Sequence, residues 1–134
     1  MSAPAIRTAL ESALNAMSPA LQTAWQNMPF TPTNGTPYQR VTLLPATPDN
    51  PEMGGLTIEQ GIFHVALVYP LDTGPGAAEA RAQLIKQTFK RGTPFTSAGV
   101  TTTVTRTPSI KPAMNEPDRY VVPVHIPYHA QIAS

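Results

Sequence analysis

Residues 61–93 read GIFHVALVYPLDTGPGAAEARAQLIKQTFKRGT, a strand, a glycine-rich turn and a helix in succession. Phe63, Val65, Leu67 and Tyr69 fall on one side of an extended chain, and Ile62, His64, Ala66 and Val68 fall on the other. The pattern predicts a long strand over 57–69, with Gly61 marking a bulge or a sharp bend. A helix follows over 77–91, with Ala77, Ala80 or Arg81, Leu84, Ile85, Thr88 and Phe89 along one stripe. Gly92 is expected to supply its left-handed cap, and Pro94 blocks any extension. The turn Gly74-Pro75-Gly76 sits where many enzymes hold a dinucleotide or a phosphate, but the residues for that work are missing. Glu79 stands where the third fingerprint glycine belongs, no Gly-Lys-Ser/Thr follows, and a carboxylate in the first helical turn repels phosphate.

Upstream, Ser2 is an N-cap candidate, Pro4 fits a first turn, and Ile6, Leu10, Leu14 and Met17 repeat at helical spacing. Ser18-Pro19 ends or kinks that helix, and a second short turn is expected over 20–25. Pro29, Pro32, Asn34-Gly35 and Pro37 then force an extended connection. A strand over 38–44 puts Tyr38, Arg40, Thr42 and Leu44 on one face and Gln39, Val41 and Leu43 on the other; 45–55 reads as a loop.

Downstream come a Thr-rich strand over 100–107, a proline-bearing loop over 108–117 and a last strand over 119–128. Pro123 and Pro127 each lack an N–H on the same side of that last strand. They belong at a sheet edge or where pairing is interrupted. The order α-β-β-α-β-β predicts one α+β domain spanning 1–134, with two helices packed on a four-stranded, mostly antiparallel (mixed) sheet.

The 134 residues are 41% hydrophobic but only 13% charged, against about 25% in ordinary domains. A surface this poor in charge, at net +1, suits a protein partly covered by its neighbours. It argues against a nucleic-acid protein, whose affinity needs clustered cations; Lys86, Lys90 and Arg91 simply sit at a helix end that favours them. With no cysteine there is no disulfide framework and no thiolate zinc site. No apolar run approaches a membrane span and no basic-then-apolar leader opens the chain, so a cytoplasmic protein is expected.

Candidate chemistry is thin. His125 and His129 lie four apart in a strand and His64 can join them, but the spacing supplies no further zinc ligand. There is no nucleophile elbow, and Asp49, Glu52, Glu59 and Asp72 lie in or beside loops. Trp25, Met28 and Phe30 form an apolar cluster that either plugs the core or anchors an interface. The loops around Met53 and Met114 are long enough to serve as arms that reach a partner.

Four segments carry a family likeness: AIRTALESALNAM, PFTPTNGTPYQRVTLLPATPDNP, the stretch at 61–93 and DRYVVPVHIPYHA. Together they resemble small prophage proteins grouped with the tail terminators of lambda-like long-tailed phages. The combination of YQR, GIF, the small-residue helix start, FKRGT and DRYVVP is what carries the likeness. It implies a structural protein, not an enzyme, with no cofactor, metal or catalytic residue. Its expected partners are copies of itself in a hexameric ring, the tail tube protein and the head completion or connector protein. DNA would only pass through the lumen, and no membrane is involved.

The implied location is the virion tail, and the host cytoplasm during assembly. On this resemblance Arg40, Arg91 and Arg119 are expected to make inter-subunit ion pairs or to line the lumen, and Trp25, Phe30 and Met53 to serve the interface. The alternative is a minor tail or neck component that binds its partner without forming a ring. A small metal-binding hydrolase is the reading from a different class.

Overall fold

The computed structural model describes residues 3–17, 21–26, 28, 30–31, 36–46, 56–70, 76–116 and 119–133. Its elements run α1 (Ala3–Asn15), β1 (Gln22–Ala24), β2 (Tyr38–Pro45), β3 (Leu56–Pro70) and α2 (Gly76–Thr88). They continue with β4 (Pro94–Ser97), β5 (Val100–Val104), β6 (Ser109–Ile110), β7 (Met114–Glu116) and β8 (Arg119–Ala133). The α+β class and both helices match the sequence reading.

The four-stranded sheet does not. A mixed sheet of eight strands, in the order β1-β2-β3-β8-β5-β4 with β6 and β7 also on β8, curls into a half-barrel. The additional strands are short and have no periodicity of their own. β1, where a short turn was expected, is three residues paired parallel to β2. β4 opens on Pro94, which a strand tolerates as its first residue. β6 and β7 lie in the proline-bearing segment and pair only with β8.

The spine is the antiparallel pair β3–β8, in register without a break from Leu56↔Ala133 to Pro70↔Arg119. The bulge expected at Gly61 is absent: Pro45↔Gly61↔Tyr128 sits in continuous register with its neighbours. Glycine is needed there for room. A β-carbon would run into the Leu44 carbonyl oxygen and lie 2.8 Å from the Tyr128 hydroxyl and 2.9 Å from Pro45 Cα.

On the outer edge of β8, three short strands pair in series: β7 against 119–121, β6 against 124–125 and β5 against 128–130. Pro123 and Pro127 fall in the gaps between them. Their carbonyls point to that same side, accepting from Lys111 N at 2.8 Å and Thr105 N at 3.0 Å, so the missing N–H groups interrupt pairing where the ladder is already broken.

Both helices cover one face. Phe63, Val65 and Leu67 of β3 pack with Val124 and Ile126 of β8, under Leu10 and Leu14 of α1 and Ile85 of α2. The buried stripe of α2 is Ala78, Arg81, Ala82 and Ile85, continued by Phe89; Arg81, Ile85 and Phe89 were expected, while Ala78 and Ala82 are buried in place of Ala77 and Leu84. Its two alanines let the helix lie close on the sheet. α2 stops at Thr88, and Gly92 (φ 86°) does not cap it. It occupies the third position of a β-turn closed by Thr93 N donating to Lys90 O at 3.0 Å, a place that favours positive φ. The β4–β5 hairpin turns through Ala98 (φ 50°) and Gly99 (φ 78°), the pair of positive values that a two-residue hairpin loop requires.

Candidate interaction surface

The face of the sheet away from the helices is built from the other register of the same strands. Tyr38, Val68 and Val121 lie side by side across β2, β3 and β8, then Arg40, Ala66 and Pro123, then Thr42, His64 and His125. The first of these rows, with Ala66, forms a second, smaller apolar cluster that Ala24 and Phe30 pack against. Phe30 meets the Tyr38 ring at 5.0 Å between centroids. The Arg119 guanidinium lies 5.6 Å over that ring and donates to the Thr36 carbonyl at 3.1 Å. Arg119 is buried, so its charge is held inside the fold as a clamp on the segment before β2.

Arg40 reaches from β2 to Glu116 of β7, its Nη2 donating to Oε2 at 2.9 Å. β2 and β7 flank β3 and β8 on opposite sides, so the bridge spans the middle of the sheet. Beside it His64 and His125 meet edge to face, 4.9 Å between ring centroids. Burial first, then His125 and Arg40, hold the His64 imidazole below its ordinary pKa. Burial and then Lys111 act the same way on His125. These two rings stay neutral to lower pH than free histidine. Arg40, Thr42, His64 and the exposed Met114 border a shallow hollow of about 260 Å³ floored by Val121 and Pro123.

The remaining imidazole, His129, lies farther along β8 in a separate hollow with Thr101, Thr103 and Gln131. Among the described residues no group of three His, Asp or Glu side chains could hold a metal ion. A third hollow, between α2 and β6, is bordered by Glu79, Gln83, Ile110, Lys111 and Tyr120. With Glu79 at its rim it is unsuited to a phosphate.

Trp25 packs, half-buried, against the main core. Phe30 belongs to the second cluster. Arg40 is 41% exposed at the sheet's centre. Arg91 is exposed in the 90–93 turn, in a hollow with Thr105, Arg106 and Thr107. Met53 lies outside the described residues. Met28, Leu44 and Met114 are the large exposed apolar side chains among those described.

Gln26 was not foreseen. Its Oε1 accepts from Arg7 at 2.8 Å and from Leu43 N at 2.9 Å, tying α1 to β2. Glu116 as the partner of Arg40, and Arg106 beside Arg91, were also missed; the first pair is separated by 76 positions, and no local spacing announces it.

The profile of the phage tail terminator protein family matches residues 5–128. Three chains of solved structures also match. One of them, whose name states no function, is 28% identical and superposes with a TM-score of 0.79, over 100% of this chain and 99% of its own. No curated protein matches the chain. Among the described residues no helix is long and apolar enough to cross a membrane.

Proposed function

The chain belongs to the phage tail terminator family and is a structural protein of a phage tail; on that premise we propose that it caps the tail tube as a closed, hexameric ring. The ring stops tube growth and presents the surface to which the filled head attaches. The observation that carries this reading is the family match along almost the whole fold, residues 5–128. Family membership favours a scaffolding role over catalysis.

The physics of the surface supports it. A ring needs one face of each subunit to meet a different face of the next, with a rotation that closes. Among the described residues the outermost strands are three-residue β1, four-residue β4 with its leading proline, two-residue β6 and three-residue β7. Beyond β1 the open side of β2 has its Leu43 N–H taken by Gln26. Outermost strands this short give little template for uncontrolled strand addition, which favours association through side chains in register. Exposed Met28, Leu44 and Met114 supply apolar contact area, and half-exposed Arg40 supplies charge at the centre of the uncovered face. The partners in this reading are further copies of the chain, the tail tube protein and the head completion or connector protein, assembled in the host cytoplasm.

Electron microscopy of particles made without this protein is the test. Overlong, headless tails are the expected outcome. Headless tails of normal length would favour a neck component that joins without terminating. Normal, infectious particles would overturn both.

A further inference from the structure

The arginines divide into two groups. Arg7 bonds Glu11 and Gln26, Arg40 bonds Glu116, Arg119 holds Thr36 and Tyr38, and buried Arg81 lies against Tyr69. Arg91 and Arg106 have no hydrogen bond or ion pair among the described residues, and these two border the same hollow. Thr105 and Thr107 line it with them, and no carboxylate takes part among the described residues. We propose that Arg91, Arg106, Thr105 and Thr107 form a binding site for a phosphate-type oxyanion.

Placement argues for a built site as well as composition. The 90–93 turn is closed by Thr93 N on Lys90 O, and Gly92 N donates to Val104 O at 2.7 Å. Val104 N donates back to Thr93 O at 3.1 Å, and Thr105 N to Pro127 O at 3.0 Å. The two segments that flank the β4–β5 hairpin are thereby fixed to the same strand ends, holding both guanidinium-bearing residues beside one opening of about 520 Å³. Two planar forks and two hydroxyls offer many donors and two positive charges, a set that matches a tetrahedral oxyanion better than any neutral ligand. Exposed Lys90, adjacent to Arg91, adds to the local potential. At a net charge of +1 the chain has no long-range field to support this, so the site takes one phosphate group through contact. That group is either free phosphate or one phosphodiester of a nucleic-acid backbone.

The full-length protein is titrated with inorganic phosphate while its backbone amide resonances are followed, and separately with a labelled short DNA duplex at low salt. Phosphate should shift the amides of Arg91, Gly92, Arg106 and Thr107. Arg91→Ala or Arg106→Ala should each weaken binding about tenfold, the loss expected for one charge-assisted contact. Tighter binding of the duplex, with a salt slope of about one that is lost in the double variant, identifies a nucleic-acid backbone as the source. Binding of phosphate alone identifies the free ion. Both side chains are exposed, so the variants should melt with the wild type. Equal shifts from chloride or acetate, or undiminished binding in the double variant, would overturn the site.

Discussion

The two faces of the β3–β8 spine are made from alternate residues of the same strands, yet they are held in different ways. The helix-covered face is a continuous apolar core in which Phe63, Phe89, Leu10 and Ile85 are completely buried. The opposite face has one small apolar cluster, and around it an aromatic pair, a buried arginine, a pair of histidines and an ion pair across the strands. The first face derives its stability from excluded water and close packing. The second has less apolar area to lose, so its polar contacts set its shape and contribute little free energy. The proposed docking role fits that division, with one face fixing the fold and the other available to partners.

The division can be broken by unequal truncations. Phe63→Ala should remove about 4 kcal/mol of stability, the usual loss for a fully buried phenylalanine. Phe30→Ala, in the partly exposed cluster, should remove about 1–2 kcal/mol. Urea denaturation of both variants measures the ratio, and equal losses would mean that the second face is a true core. Gly61→Ala lies on the spine that both faces share. A methyl group there meets backbone and a tyrosine hydroxyl, so about 3 kcal/mol should be lost through strand displacement. An unchanged midpoint would show that β2 can move away freely.

The two faces also differ in how far the sequence announces them. Alternation in β3 and β8 revealed which residues share a side, because a strand with a buried face has a period of two. The proline pair told where β8 is poorly paired. β1, β4, β6 and β7 were not legible because two to four residues carry no period, and their strand geometry comes from the neighbour they pair with. Gly61 was legible as a special position but for the wrong reason: its neighbours, β2 and Tyr128, approach from distant parts of the chain. The contacts of Arg40 with Glu116 and of Arg119 with Thr36 depend on the same long-range folding. The cations were visible in sequence; their partners were not.

Acid should distinguish the faces next. His64 and His125 have folded-state pKa values below that of free histidine, with burial as the leading cause and Arg40, Lys111 and each other as the charged or titratable neighbours. The unfolded chain therefore binds more protons between the depressed values and about 6.5. Stability is full above pH 6.5 and falls as pH drops through that window, where protonation places like charges together on the second face. His64→Gln should flatten the dependence, read from melting temperatures across the range. A slope that persists unchanged would assign it to groups elsewhere.

The smallest effect is expected at the shortest ion pair among the described residues. Arg40 and Glu116 meet at 2.9 Å, but their side chains are 41% and 39% exposed. Water screens the attraction, and ordering two long side chains opposes it, so a double-mutant cycle with Arg40→Ala and Glu116→Ala should give a coupling of about 0.5 kcal/mol. Raising the salt concentration should reduce it further. The same substitutions then separate stability from docking: if the uncovered face meets another subunit, Arg40→Ala should impair assembly while leaving the melting temperature almost unchanged. A coupling above about 2 kcal/mol would instead make the bridge part of the fold's own framework, because only a desolvated pair reaches that value.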